Sequence, residues 1–410
     1  MDFTPTEAQT DLATLTGEIC AKLVTADRLR ELDVPGRFDE QLCKALADTG
    51  VLAAGLPEAL GGNDFGMLEQ TAVLRELGRV VAAVPYLWSV VLGAGALAKF
   101  GDASQQQLAA RAGAGEIVLT AALAEELRAA TDAPGILATA ATEADTADTS
   151  FDIGVGDSID SSAAFADPIT TVGAPTVADA EGRGGTGWPW TLTGRATTVP
   201  QADRAMRILV PANISGRTAV FLVDPTHTSV TRTAQQVVDL SPEFLVEFTD
   251  TPAELVGTIE TGAGILTWLR EHAWLGLAAL QLGTLERALE LTAEHTRTRE
   301  QFGKPLGSFQ AVAQRLADAY IEIGGLRLTV TQAAWRLSEN LPAAESIHIA
   351  KFWAAEAGHK VAHTAVHIHG GLGIDRDHIT HNYFTAAKHH EYALGGATPH
   401  LLALGAELAR

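Results

Sequence analysis

The feature that most restricts what this chain can fold into is a change of pattern that happens twice. Up to about residue 117, apolar residues recur at helical spacing, as in Phe38–Leu46 and Met67–Gly78. Thr4-Pro5-Thr6-Glu7 reads as a helix start with Pro5 in the first turn, and Pro57-Glu58-Ala59-Leu60-Gly61-Gly62 as a break. From about residue 118, Thr, Val, Asp and Gly become prominent, and runs such as Ile208-Leu209-Val210 and Ala219-Val220-Phe221-Leu222-Val223 look like strands. From Gly262 the helical pattern returns. Trp274–Leu289 is apolar nearly all round, which predicts a helix buried inside a bundle. Phe309, Val312, Leu316, Tyr320 and Ile323 form an apolar stripe on the next helix. The expected order is a helical domain over 1–117, a β domain (sandwich or barrel) over 118–255, and a helical bundle over 256–410.

Composition removes several function classes. Against 50 Asp+Glu stand 29 Lys+Arg, a net charge of −21, which argues against a partner bound through its phosphate backbone, nucleic acid above all. The acidic stretch from Ala129 to Gly182 has no Lys or Arg and reads as solvated strands and loops. Cys20 and Cys43 are the only cysteines, too few for a disulfide framework or a cysteine-rich metal site. Val80–Ala98 is uncharged and long enough to span a bilayer, but Pro85 interrupts it and Ala and Gly dilute it; a buried helix is expected. Met1-Asp2-Phe3-Thr4 lacks the basic-then-apolar start of a secretory signal, so a cytoplasmic protein without a membrane is expected.

The most specific segment is Arg297-Thr298-Arg299-Glu300-Gln301-Phe302-Gly303-Lys304-Pro305-Leu306-Gly307-Ser308-Phe309-Gln310, continuing to Gln314-Arg315-Leu316-Ala317-Asp318. A second is His367-Ile368-His369-Gly370-Gly371-Leu372-Gly373. Such residues suit a dinucleotide. Arg299 offers a planar fork of donors to a pyrophosphate. Gly370 and Gly371 permit close backbone approach. Gln310 both donates and accepts, and Phe302 can cover an aromatic ring. With Leu56–Gly62, these segments resemble the signatures of acyl-CoA dehydrogenases, whose helical–β–helical order also fits.

The resemblance implies an acyl-CoA dehydrogenase-like fold with a C-terminal four-helix bundle. It implies FAD contacts by Arg299, Gln301, Phe302, Gln310, His367, Gly370 and Gly371, reaching a cofactor held by a neighbouring subunit; His367 stands where the family has Gln. It implies an acyl-CoA substrate and an electron-transfer flavoprotein as acceptor. The family's reaction needs a carboxylate base in a dry site. Where most members carry it, this chain reads Ala393-Leu394-Gly395-Gly396-Ala397-Thr398; at the alternative place it has Ala273, with Glu271 on another helix face. Both places lack an acid. The flavin-holding loop is replaced by Ala121–Leu127, and the aromatic strand contact is unclear near Thr197-Thr198-Val199. The chain thus resembles the base-lacking subunits of actinobacterial α2β2 acyl-CoA dehydrogenases that act on steroid side-chain CoA esters, as in cholesterol catabolism. Those pair with a catalytic subunit that binds the acyl-CoA and share FAD at the interface.

Besides a purely structural subunit that contacts no cofactor, two rival readings exist. One is a self-sufficient homotetrameric dehydrogenase with Glu271 or Glu391 as a displaced base. The other is a metal protein, since His359, His363 and His367 recur at i, i+4 and i+8 and ten of the 13 histidines lie between His348 and His400. Three at that spacing climb about 12 Å of helix, too far for one ion, so no metal is expected.

Overall fold

The structure, a computed structural model, describes residues 4–126, 128, 129, 131–140 and 188–409. Most of the acidic stretch between Ala129 and Gly182, and Leu127 of the loop after the first strand, lie outside the described residues.

The N-terminal part is helical, with α1 (Glu7–Leu23), α2 (Ala26–Glu31), α3 (Glu40–Asp48) and α4 (Met67–Arg79). Thr6 caps α1 in a capping box with Gln9, so Pro5 stands just before the cap and outside the first turn. Val80–Ala98 is buried for the most part but is not one helix. Val81 is left-handed, the chain stays irregular to Pro85, and Tyr86–Ala94 forms π-helical turns that run into α5 (Gly95–Phe100). Pro85 has no N–H to carry a helix through, so the change of path falls there. Asp102 caps α6 (Ala103–Gly113).

The middle part contains β1 (Val118–Ala121), β2 (Leu137–Ala140), β3 (Trp190–Pro200), β4 (Ala205–Ile214), β5 (Arg217–Val223), β6 (Val230–Gln235) and β7 (Glu243–Val256). The pairings run β4–β2–β3–β7–β5 and return from β5 to β4, with β1 added on β4 and β6 on β7. The sheet therefore closes as a barrel. Its core, with Leu192, Ile208, Phe221 and Phe248, comes from inward-facing residues of these strands.

The C-terminal part comprises α7 (Gly262–Thr298), the hairpin β8 (Glu300–Gln301) and β9 (Lys304–Pro305), α8 (Gln310–Ser338), α9 (Ala344–His369), α10 (Ile379–Tyr392) and α11 (Ala397–Leu408). Beyond the four expected helices, α11 packs on α9 as a fifth. No helix among the described residues is long and apolar enough to cross a membrane. The buried α7 meets α4 at close range: a Cβ on Gly283 would lie 1.9 Å from the Arg75 carbonyl. Buried Glu286 on α7 accepts from Arg75 of α4 and Arg327 of α8, both at 2.7 Å, and ties the three helices. The expected stripe on α8 is only partly inward. Ile323 is buried and Val312 and Leu316 are half-buried, but Tyr320 is 67% exposed beside exposed Ile321 and Leu328. Inward positions fall instead on Ala319, Ile323, Leu326 and Val330, and the aromatic side is left open.

Two contacts fix how α7 and α9 run. Trp274 packs on His348 with ring centroids 5.0 Å apart, and His295 stacks on His369 at 4.3 Å. Both partners advance by the same 21 residues, so the helices are parallel and in step for about 31 Å.

Candidate functional site

The Arg299 and Gly370 motifs sit at one end of that parallel pair, and the Ala393–Thr398 turn at the other. At the far end, α7 finishes with Arg299 as its C-cap. A tight hairpin follows, with Gln301 paired to Lys304 and both loop residues, Phe302 and Gly303, at positive φ. Two such residues make the kind of turn that matches the strands' twist. Phe302 is held at its tip, 92% exposed, with its ring edge-on to Phe309. Among the described residues, the Arg299 guanidinium has no hydrogen bond or ion pair, and it is exposed. Gln301 donates to the Glu300 carbonyl at 2.8 Å; Gln310 and His367 are exposed. Gly370 ends α9 at φ 63°, and nothing lies within 4 Å of a would-be Cβ on it or on Gly371. The His295–His369 stack brings the hairpin end of α7 and the glycine turn of α9 to the same end of the bundle. An unpaired guanidinium, an uncovered ring and open glycine backbone suit a diphosphate joined to an aromatic base.

The near end holds a cleft of about 480 Å³ between β barrel and bundle. Trp88, Trp274, Val237, Val238 and Tyr392 supply apolar walls, and Leu394, Gly395 and His400 close it. Its polar groups are engaged internally. Gln235 reaches back from β6, and its side-chain oxygen accepts from the Thr198 N–H at 2.7 Å. The Thr197 N–H donates to the Ala124 carbonyl at 3.0 Å. These two backbone N–H groups, beside the stretch that replaces the family's flavin-holding loop, are therefore held by the chain itself.

The turn Ala393–Thr398 is fastened as a structural element. Trp274 donates to the Leu394 carbonyl at 3.1 Å. Lys351, fully buried, donates to the carbonyls of His390, Glu391 and Gly395 at 3.1, 3.2 and 2.8 Å. Burial pulls its ammonium down to about 7, opposed by Glu391. Ala273 is buried in the core.

Neither proposed displaced acid lines the cleft. Glu271 is half-buried, and burial, then Glu407, raise its pKa. Glu391 is buried: it pairs with Lys388 at 2.6 Å and His359 at 3.3 Å. It lies in the last turn of α10, on the side that faces His359 of α9. Among the described residues, the one carboxylate on the cleft wall is Glu243, which accepts from His389 Nε2 at 2.7 Å. His389 also faces Asp239 through Nδ1 at 3.1 Å. Burial alone would lower His389, but Asp239 and then Glu243 carry it up to about 10. One carboxylate oxygen of Glu243 is thus taken by His389. This Asp239–His389–Glu243 group was not singled out in the sequence. His359, His363 and His367 lie exposed on α9, and no group of described residues has the make-up of a metal site.

A two-ended helical bundle packed on a closed barrel defines the class, and two family models agree: acyl-CoA dehydrogenase, N-terminal domain, matches residues 6–116, and acyl-CoA dehydrogenase, C-terminal domain, matches 261–407. The chain belongs to the acyl-CoA dehydrogenase family, and membership implies FAD as cofactor. Acyl-CoA dehydrogenase FadE27 of Mycobacterium tuberculosis is 43% identical over 100% of this chain and 99% of its own length. A chain of the ChsE4-ChsE5 complex from the same species is 44% identical, with a TM-score of 0.84, covering 100% of this chain and 99% of that one. A chain of the Tcur3481-Tcur3483 steroid ACAD is 32% identical, with a TM-score of 0.82 and 99% coverage of both.

Proposed function

We propose that this chain is the non-catalytic, FAD-contacting subunit of a heteromeric acyl-CoA dehydrogenase that introduces an α,β double bond into an acyl-CoA thioester, a steroid side-chain CoA ester. One observation carries the reading: the diphosphate-suited end and the cleft lie about 31 Å apart along one rigid helix pair. In one chain they serve different sites, so the exposed end completes a site whose remainder lies in a neighbour. FAD, when bound, supplies the two-electron acceptor. Arg299 would hold its pyrophosphate, Phe302 and Gln310 would hold its adenosine, Gln301 and His367 would meet polar groups, and Gly370 and Gly371 would let it approach the backbone. The base comes from the partner, because Ala273 and Gly395 stand at the usual places and Glu243 is held by His389. The similarity to heteromeric complexes supports an α2β2 assembly with two FAD per tetramer, acyl-CoA bound by the partner, and electron-transfer flavoprotein as acceptor.

The test is expression with and without a dehydrogenase partner, reading flavin absorbance per chain and turnover with an artificial electron acceptor. The expected result is no flavin or turnover alone, and two flavins per four chains together. In the complex, Glu243→Gln and Glu271→Gln here keep turnover within about threefold, against the 10²–10⁴-fold or more that general-base loss costs. Stoichiometric flavin with turnover in the chain alone would instead establish the homotetrameric reading.

A further inference from the structure

Four buried polar side-chain atoms without a hydrogen-bond partner belong to residues that line one small pocket: Arg37 Nε, Tyr86 Oη, Gln201 Oε1 and His390 Nδ1. The pocket, of about 90 Å³, lies where the three parts of the molecule meet. Arg37 and Tyr86 come from the N-terminal helical part, Gln201 from the turn between β3 and β4, and His390 from α10. Arg37, Tyr86 and Gln201 are each more than nine-tenths buried. Leaving one such group unpaired is costly, and four around one space call for a common partner.

The inventory of groups selects that partner. Arg37 Nε only donates and Gln201 Oε1 only accepts; Tyr86 Oη and His390 Nδ1 do either, the second according to tautomer. An anion would meet the Gln201 oxygen and the carboxylates of Asp239 and Glu243, which share the wall. A cation would meet Arg37 and His389. Two cations against two carboxylates leave no net charge to attract an ion, and the volume admits about three water molecules. We propose that this pocket is a built hydration site, holding a cluster of ordered waters that pair Arg37, Tyr86, Gln201 and His390 and join the helical part, the barrel and the bundle. Its ligand class is a small neutral molecule that donates and accepts at once.

The two possible states of the pocket predict opposite signs for one variant. In the full chain, assembled with its partner, Tyr86→Phe keeps the ring and removes the hydroxyl. If water fills the pocket, a hydrogen bond is lost, and the thermal midpoint falls by about 1–3 °C. If the pocket is dry, an unpaired buried hydroxyl is relieved, and the midpoint rises or stays level, which overturns the proposal. Gln201→Met is expected to behave alike. The double variant should lose less than the sum, since both groups draw on one cluster without touching each other. High-resolution crystals should show waters about 2.7–3.2 Å from the four atoms. An anomalous peak in the pocket after bromide soaking would overturn the neutral-ligand assignment and establish an ion site.

Discussion

Two buried titratable groups, His389 on α10 and Lys351 on α9, should hide each other's effect on stability, and removing either should expose the other. His389 rises from 6.5 to about 10 because Asp239 and Glu243 outweigh its burial. Lys351 falls from 10.5 to about 7 because burial outweighs Glu391. Between pH 7 and 9 the folded chain keeps a proton on His389 that the unfolded chain has lost, so stability falls by about 1.4 kcal/mol per pH unit. Over the same range the unfolded chain carries a proton on Lys351 that the folded chain lacks, so stability rises by about the same amount. Each shift is worth about 5 kcal/mol over its full span. The wild-type profile should therefore be nearly flat from pH 7 to about 8; towards pH 9 the thiols of Cys20 and Cys43, both raised from 9.0 by burial, begin to lower stability alike in all variants as they ionise in the unfolded chain. His389→Leu should cost about 3–5 kcal/mol at pH 7, since two carboxylates lose their shared counter-ion, and the loss should shrink as pH rises. Lys351→Met should give the reverse slope, with stability falling as pH rises. The assay is urea unfolding at half-unit steps from pH 7 to 9. Parallel profiles for wild type and both variants would refute the reasoning.

Arg299→Ala should leave the thermal midpoint unchanged, because the side chain is exposed and unpaired, while flavin retention in the assembled complex drops ten- to hundredfold, the loss of a charge-assisted contact of about 1.5–3 kcal/mol; full retention after dilution would sink that role. Glu391→Gln should lower stability by about 1–3 kcal/mol by leaving Lys388 and His359 without their carboxylate, yet keep turnover of the folded complex within about threefold. Ile321→Asp, on the exposed apolar side of α8 with Tyr320 and Leu328, should prevent assembly with the partner without altering the circular dichroism of the chain alone, as read by size exclusion.

What could be read in the sequence depended on how far apart the interacting residues are. The helical–β–helical order rests on local periodicity, so it was accessible. Barrel and sandwich could not be told apart, because closure depends on Leu137 of β2 meeting Asn213 of β4. The expectation of no acid at the usual places of the base rested on Ala273 and Gly395, legible without the fold. What replaced it was not: Trp274 and Lys351 look like ordinary members of helical runs until the fold sets them against carbonyls 120 and 44 residues away. His389 was one histidine among many, and its partner Glu243 is 146 residues distant. Nor did the apolar stripe on α8 reveal which way it faces, because a core and a subunit contact demand the same residues at the same spacing. That ambiguity is physical. Tyr320 is exposed while Ile323, three residues on in the same stripe, is buried, so one spacing serves an inward and an outward face at once.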